Sequence, residues 1–223
     1  LLAMRALAMT LLAAPVSLAL VASTKPVLVV GATGKTGRLV CERLSQAGTA
    51  VRALVRSPAT TQGLDELPGV TVVPGDLLDQ ASLDTAVNGC SAVISVSGTI
   101  HPVQLSDLWT LSVLRLDDKA DAAHPQSVNY RGTANVLAAM KKAGVAKIVR
   151  LTGLSCGFSA FNPFALIFGC LLLSMSTMWH ARAENLLRAD PAIDYTILRP
   201  GGLSDEARGA KTLQAGSCTL PKL

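Results

Sequence analysis

The sequence of 223 residues is poor in aromatic side chains, in clustered positive charge and in paired cysteines. Phe, Trp and Tyr make up only 4% of it, and its 20 Lys and Arg residues are scattered, for a net charge of +5. Because nucleic-acid interfaces use clustered basic residues, often with stacking aromatics, we expect no nucleic-acid partner. The five cysteines form neither a CxxC pair nor a metal-ligand cluster, so we expect no metal site and favour buried free thiols in a reducing compartment. These cysteines are Cys41, Cys90, Cys156, Cys170 and Cys218.

Charge is nearly absent from the first 24 residues. Arg5 is the single charged residue there, and the stretch from Ala6 to Ala22 carries none. Such a segment is typical of a targeting peptide, with Ala22-Ser23 as a cleavage region, or of a short membrane anchor. We therefore divide the chain into residues 1–24, the targeting peptide or anchor, and residues 25–223, one domain large enough for a sizeable core.

What the sequence does contain is an apolar run that ends in a glycine-rich turn. Val27–Val30 precede the heptapeptide GATGKTG at residues 31–37, and an amphipathic stretch follows. This order predicts a strand, a tight turn and a helix, the arrangement that a dinucleotide-binding turn requires. Gly31 permits the turn, Gly34 lets the backbone approach a pyrophosphate, and Gly37 lets the helix pack close to the strand. The helix N-terminus then offers N–H groups to the phosphates.

Downstream, short apolar runs alternate with helical patterns. Strands separated by helices predict an α/β fold with a doubly wound parallel sheet, the Rossmann arrangement. The predicted strands are Val27–Val30, Ala50–Val55, Val70–Val73, Ala92–Val96, Lys147–Leu151 and Tyr195–Leu198, and the predicted helices are Lys35–Ala47, Gln80–Val87, Val128–Ala143 and His180–Arg188.

The end of the second predicted strand bears on the choice of cofactor. An acidic residue there binds the ribose 2′-hydroxyl of NAD, whereas an arginine suits the 2′-phosphate of NADP. The residue present is Arg56, and no carboxylate follows before Asp65. Lys35 and Arg52 are further candidates for positive charge at this site. The sequence therefore favours NADP(H) over NAD(H), unless Arg56 is only a solvated charge at a strand end.

Two further strand ends carry candidate cofactor contacts. Asp76-Leu77 follows the third strand, where a carboxylate can accept a hydrogen bond from the adenine amino group, although an Asp here is also typical of a turn or a helix cap. Ser97-Gly98 follows the fourth strand. Small residues there leave room for the cofactor ribose, and they also suit a loop. Both positions lie at the carboxyl edge of the predicted sheet, where such folds bind ligands.

Together these stretches resemble the atypical short-chain dehydrogenase/reductase superfamily, in particular its NmrA-like, NAD(P)-binding branch. The resemblance runs from Pro26 to Leu203 and includes VNYRGTANV at 128–136 and DYTILRPGG at 194–202. It implies a cofactor site formed at successive strand ends. The implied contacts are Gly31, Thr33, Gly34 and Gly37 along the pyrophosphate, Arg56 at the 2′-phosphate, Asp76 and Leu77 at adenine, and Pro200 and Gly201 near the nicotinamide. The candidate cofactor-binding residues also include Lys35 and Thr36 of the glycine turn, and Ser97 and Gly98.

The chain departs from this superfamily at the residues that carry the reduction. Reducing members use a Tyr four residues before a Lys, and alignment on the last predicted helix puts Ser176 and His180 at these positions. His180 shares a helix face with Glu184, which makes it a candidate general acid near neutral pH or, alternatively, part of a surface ion pair or a contact to the cofactor ribose. The superfamily's active-site Ser or Thr corresponds to Thr152 or Ser155.

The segment Phe161–Met178 is unusually apolar, with no charge from Phe164 to Met175. It is too short to span a bilayer, which leaves core packing, a lid on an apolar substrate pocket, a partner surface or monotopic membrane contact. Few residues follow Gly202. Compared with the superfamily, this predicts a substrate side that is reduced or truncated.

Two functions remain open at this point. One is an NADPH-dependent oxidoreductase acting on a small apolar carbonyl or quinone-like compound. The other is a non-catalytic NADP(H)-binding redox sensor, assembly factor or accessory subunit of a membrane complex, which the missing Tyr/Lys pair favours. The first 24 residues and the resemblance to plant and algal members predict a plastid location, with the mitochondrion second.

Overall fold

The computed structural model describes residues 25–57, 61, 63–99, 122–153, 156 and 176–200. Within these residues every predicted strand and helix is present, with strand ends that differ from the prediction by at most one residue. The elements are β1 (Val27–Val30), α1 (Lys35–Gln46), β2 (Val51–Val55), β3 (Val70–Pro74), α2 (Gln80–Val87), β4 (Ala92–Ser95), α3 (Gly132–Ala143), β5 (Lys147–Leu151), α4 (Ser176–Ala189) and β6 (Asp194–Leu198).

The six strands form one parallel sheet in the order β3-β2-β1-β4-β5-β6. Chain order reverses between β1 and β4, and ligands of doubly wound folds bind at the carboxyl ends of the strands beside such a reversal. The register places Val30, the last residue of β1, opposite Leu54 and Ser95. The turn that begins at Gly31 therefore lies at this crevice, and the predicted Rossmann fold is confirmed.

Alternation of side chains along the central strands produces two apolar layers. Leu28 and Val30 lie in one layer, which α2, α3 and α4 cover, while Val29 lies in the other, which α1 covers with Cys41. Successive strand residues point to opposite faces, so a strand that is apolar throughout is buried on both sides. Each such fully buried aliphatic side chain contributes roughly 1.5–3 kcal/mol.

The helix before β5 begins differently from the prediction. A π-helical turn, Gln126–Arg131, precedes α3, and the Gly132 N–H donates to the Ser127 carbonyl five residues back. The apolar periodicity cannot report such a turn, because one extra residue in a turn changes the hydrogen bonding without interrupting the helical pattern. α4 likewise already includes Ser176, four residues before the predicted start at His180.

Several predicted features lie outside the described residues. They are the segment 1–24, Ser155, Gly201, the chain after residue 200 and all of the apolar segment except its last three residues. In the described part of the chain, no helix combines the length and the hydropathy needed to cross a bilayer. The same residues contain no cluster of three His, Cys, Asp or Glu side chains that would suit a metal ion.

Three cysteines lie within the described residues. Cys41, Cys90 and Cys156 are buried and free, as predicted for them. Burial, together with the neighbouring charge of Glu42, raises the pKa of Cys41 to about 11, so its thiol stays protonated near neutral pH.

Candidate nucleotide-binding site

The glycine-rich turn is tightly closed on its inner side. Gly31 has a φ of +85°, and a Cβ there would lie 2.8 Å from the Ser97 backbone nitrogen. A Cβ on Gly37 would overlap the Gly31 carbonyl oxygen and approach the Ala32 Cα to 2.8 Å. Gly34 differs, because a Cβ there would meet only the Gly31 oxygen, at 3.4 Å. The turn therefore excludes side chains towards the protein and stays open at Gly34, where backbone can approach a ligand.

The N-terminus of α1 opens into this turn. Gly34 is its N-cap, in an extended conformation, and makes no side-chain capping bond. The first internal bond runs from the Arg38 N–H to the Gly34 carbonyl, at 2.9 Å, and the first turn holds no acidic residue. A helix N-terminus carries N–H groups without intrahelical acceptors and the positive end of the helix dipole. With the steric cradle of the three glycines, this arrangement fits a pyrophosphate.

The remaining predicted pyrophosphate residues lie on the outside of the same turn. Lys35 is exposed, and Thr33 and Thr36 are half-buried.

The next strand ends place Arg56 and Asp76 along the carboxyl edge. Arg56 is exposed one residue beyond β2. Asp76 follows β3, and its Oδ1 accepts the Leu78 N–H at 2.8 Å, which is the turn role that the sequence left open. Its second oxygen has no part in that bond. Leu77 beside it is anchored, because its carbonyl accepts from Asn135 Nδ2 at 2.9 Å.

Arg52 does not contribute positive charge to this edge, so that expectation is wrong. Its Nη1 donates to the carbonyls of Ala86 and Asn88, at 2.8 and 2.7 Å, at the carboxyl end of α2. The last carbonyls of a helix have no intrahelical donors, and the guanidinium satisfies two carbonyls there.

Asn129, which the sequence analysis did not single out, joins the loop after β4 to α4. Its Oδ1 accepts the Thr99 N–H at 3.1 Å, and its Nδ2 donates to Ser176 Oγ at 3.0 Å. The Ser176 hydroxyl in turn donates to the Thr99 carbonyl at 3.0 Å. Ser176, at the position of the superfamily's tyrosine, is therefore buried and already hydrogen-bonded. The one signal for Asn129 was its place in the VNYRGT stretch that carried the resemblance.

Arg150, also missed by the sequence analysis, is 0% exposed within β5. Its Nη1 donates to Ser95 Oγ at 2.5 Å and Ser97 Oγ at 3.1 Å, and its Nη2 donates to the Asn129 carbonyl at 3.3 Å. Its Nε is buried without a partner among the described residues. Burial lowers its pKa to about 10, so the guanidinium stays charged near neutral pH. The Ser97 side chain is thereby turned towards Arg150, and its backbone lies against Gly31.

His180 lies beside Gly98, where a Cβ on the glycine would come within 3.4 Å of Nε2. Its Nδ1 is buried and has no hydrogen-bond partner within the described part of the chain. Burial first, and then the positive charge of Arg150, lowers its pKa to about 3. The imidazole is therefore neutral near pH 7, which argues against the predicted role of His180 as a general acid near neutral pH.

Glu184 is the buried carboxylate of this region and is 0% exposed. Its oxygens accept from Thr152 Oγ1 at 2.7 Å, from Arg188 Nη2 at 2.8 Å, and from both Nε, at 3.0 Å, and Nη2 of Arg199. Burial alone would raise its pKa, but these donors hold the pKa below its usual value. The described contacts thus pair Glu184 with two arginines and not with His180, because the arginines and Thr152 occupy its oxygens.

This network fixes the backbone near the expected nicotinamide position. Thr152 directly follows β5 and directs its hydroxyl proton to the carboxylate, and Arg199 immediately precedes Pro200. A doubly wound sheet with a glycine cradle at its reversal point and polar groups at the neighbouring strand ends defines a nucleotide-binding Rossmann domain.

Comparison with known proteins assigns the family. The profile of the NAD(P)H-binding family matches residues 31–220, and the chain belongs to this family. It is 32% identical over 205 residues to an uncharacterised chloroplastic protein of Arabidopsis thaliana, an alignment that covers 90% of this chain and 61% of that protein. It is also 32% identical over 206 residues to sanguinarine reductase of Eschscholzia californica, covering 84% of this chain and 72% of the relative.

A solved structure also shares this fold. An NADPH-dependent quinone oxidoreductase of Escherichia coli superposes with a TM-score of 0.53 and 26% identity, covering 79% of this chain and 47% of that chain. The chain thus spans about half the length of this structure and 61% of the Arabidopsis relative.

Proposed function

We propose that this chain binds NADP(H) in preference to NAD(H) and, in a plastid, reduces a small apolar carbonyl or quinone-like compound. The observation that carries the proposal is the glycine cradle that opens onto the N-terminus of α1, with Arg56 at the end of the next strand. The chloroplastic Arabidopsis relative supports the location, and the two reductases reported above support the class of reaction.

The preference for NADP(H) rests on the charge at the end of β2. A guanidinium recognises a phosphate through charge-assisted hydrogen bonds, whereas a ribose 2′-hydroxyl is bound best by a carboxylate. Arg56 is exposed at the strand end beside the cradle. Its loss would remove charge-assisted bonds of about 1.5–3 kcal/mol, equivalent to about tenfold or more in affinity for NADPH.

The surroundings of His180 favour an acceptor that needs no strong proton donor. The bound cofactor supplies the hydride, and the chain positions the acceptor beside it. His180 is neutral near pH 7, and the Thr152 hydroxyl is engaged with Glu184. A quinone fits these conditions, because the oxygen of its reduced product can take its proton from solvent. We propose that His180 Nε2 hydrogen-bonds the nicotinamide ribose or the acceptor oxygen.

A second function, non-catalytic binding of NADP(H), is favoured by one observation. Ser176 and His180 replace the reducing Tyr and Lys, and the Ser176 hydroxyl is held by Asn129 and the Thr99 carbonyl. A protein with the cradle intact and this pair absent would report the state of the nucleotide pool or dock as an accessory subunit. The apolar segment Phe161–Met178 would supply such a docking surface.

Titration of the full chain with NADPH and NADH, followed by nicotinamide fluorescence, tests the cofactor. Arg56→Asp should weaken NADPH binding about tenfold or more while NADH binding holds or improves. Arg43→Asp, on an exposed arginine at the far end of α1, changes the net charge equally and should leave the ratio unchanged. An NADPH to NADH ratio that Arg56→Asp does not alter contradicts the assignment.

Turnover separates the two functions. NADPH oxidation in the presence of a panel of quinones and small carbonyl compounds supports the reductase. Tight NADPH binding without turnover on either panel supports the non-catalytic alternative. A folded chain that binds neither nucleotide contradicts both.

A further inference from the structure

Arg150 is a buried positive charge beside the candidate cofactor site, and it has no carboxylate hydrogen-bond partner among the described residues. Its described hydrogen bonds go to two serine hydroxyls and one backbone carbonyl. Buried charges in proteins are normally paired, because an unpaired charge loses its hydration without compensation. The buried Nε–H of Arg150 also has no hydrogen-bond acceptor among the described residues.

Among the described residues, no anionic side chain is hydrogen-bonded to this charge. Burial raises the pKa of the neighbouring Cys156 thiol, and the carboxylate of Glu184 already binds Arg188 and Arg199. His180 is neutral near pH 7, so it adds no charge of either sign. Glu184 therefore makes no described hydrogen bond to Arg150, because Thr152 and two other arginines occupy its oxygens.

The charge lies next to the expected path of the cofactor. Arg150 Nη1 donates to Ser97, whose backbone nitrogen would be 2.8 Å from a Cβ on Gly31. A Cβ on the adjacent Gly98 would lie 3.4 Å from His180 Nε2. The guanidinium is thus one hydrogen bond away from the segment that closes the glycine cradle, on the side of the superfamily's catalytic helix.

The two redox forms of the cofactor differ by one charge, and that charge is on the nicotinamide ring, which is positive in NADP+ and neutral in NADPH. A fixed positive charge near the ring repels the oxidised form alone, since the phosphates are common to both. We infer that Arg150 makes this site selective for the reduced nucleotide, so that NADPH binds more tightly than NADP+. This inference rests on the proposed NADP(H) binding and adds a redox preference to it.

The preference has a consequence under either proposed function. In a reductase it would promote release of NADP+ after hydride transfer, and in a sensor it would make occupancy report the reduced fraction of the pool. The expected preference is about tenfold, which corresponds to about 1.4 kcal/mol of charge repulsion against the oxidised ring.

Isothermal titration of the full chain with NADPH and with NADP+ at pH 7 tests the inference without any turnover. The wild type should bind NADPH about tenfold more tightly. Arg150→Met, and Arg150→Gln, which retains hydrogen-bond donors for Ser95 and Ser97, should bring the ratio of dissociation constants towards one. Arg150→Lys keeps the positive charge and should therefore retain most of the preference for NADPH. Arg52→Met removes an equal charge at the opposite end of the sheet and should leave the ratio unchanged.

Two results would overturn the inference while the proposed function stands. One is equal affinity of the wild type for both nucleotides, which needs no variant. The other is an unchanged ratio in a neutral Arg150 variant whose circular dichroism and melting show that it is folded. Absence of binding by either nucleotide would instead overturn the proposed function and this inference together.

Discussion

The two ends of the candidate site are constructed in opposite ways. At the β1 end, the site consists of backbone and the absence of side chains, with Gly31 and Gly37 fixed by contacts that leave no space for a Cβ. At the β5 and β6 end, it consists of buried charge, with Arg150 and Glu184 both fully buried and Arg199 connecting Glu184 to the end of β6.

This difference predicts different sensitivities at the two ends. The glycine cradle is disrupted when a substitution adds side-chain volume, and its stability depends little on pH or on added charge. A buried charge network fails when one partner is removed, because the remaining charges stay buried without compensation. Substitutions chosen by these two criteria should therefore separate the ends experimentally.

The largest effect is expected from Gly37→Ala. A Cβ there would overlap the Gly31 carbonyl and lie 2.8 Å from the Ala32 Cα, and both obstacles are backbone. We expect the free energy of unfolding in urea to fall by about 3 kcal/mol or more, because strand and helix must separate.

Gly34→Ala is the matched variant within the same turn. Its Cβ would stand 3.4 Å from the Gly31 oxygen, so the fold should survive. Nucleotide affinity should fall nonetheless, because the added methyl group occupies the open side of the cradle. Equal stability losses in the two variants would contradict the division of the turn into a closed and an open side.

The sequence predicted the glycine end well because its determinants are local. Seven consecutive residues between an apolar strand and an amphipathic helix specify the turn, and the alternation of strands and helices specifies the sheet. The correct placement of β1 through β6 follows from the same short-range pattern.

The charged end could not be predicted in this way, because its determinants are long-range pairings. Glu184 bonds to Thr152, 32 residues away, and Asn129 bonds to Ser176, 47 residues away. The helical spacing of His180 and Glu184 indicated a pair, but two arginines and Thr152 occupy the carboxylate. Arg150 sits in an apolar strand, and only the tertiary structure shows that hydroxyls on β4 and after it satisfy part of its guanidinium.

Glu184→Gln should have an effect of similar size at the charged end of the site. The variant keeps the shape of the side chain but leaves Arg199 and Arg188 without their shared anion. Removing one partner of a buried ion pair costs about 3–5 kcal/mol of unfolding free energy. Glu42→Gln is the control, because Glu42 pairs with Arg38 at the surface. Such a surface pair contributes only about 0–1 kcal/mol. Similar losses in both variants in urea denaturation would contradict the buried network.

His180→Asn should change the pH dependence of stability more than stability at neutral pH. The folded pKa of His180 is lowered to about 3, whereas the unfolded chain titrates near 6.5. Below pH 6.5 the unfolded state therefore binds a proton that the folded state does not, and the wild type loses stability at up to about 1.4 kcal/mol per pH unit. His180→Asn lacks this loss.

Urea denaturation of both proteins between pH 7.5 and 5 measures this difference. Glu184 does not affect the comparison in this pH window. Its pKa is lowered in the folded protein, so its contribution to stability is lost only as the pH falls below about 4.5. The wild-type curve should thus approach or cross that of His180→Asn before the carboxylates titrate. Parallel curves from pH 7.5 to 5 would show that the imidazole charges in the folded protein, and a general-acid role for His180 would then be restored.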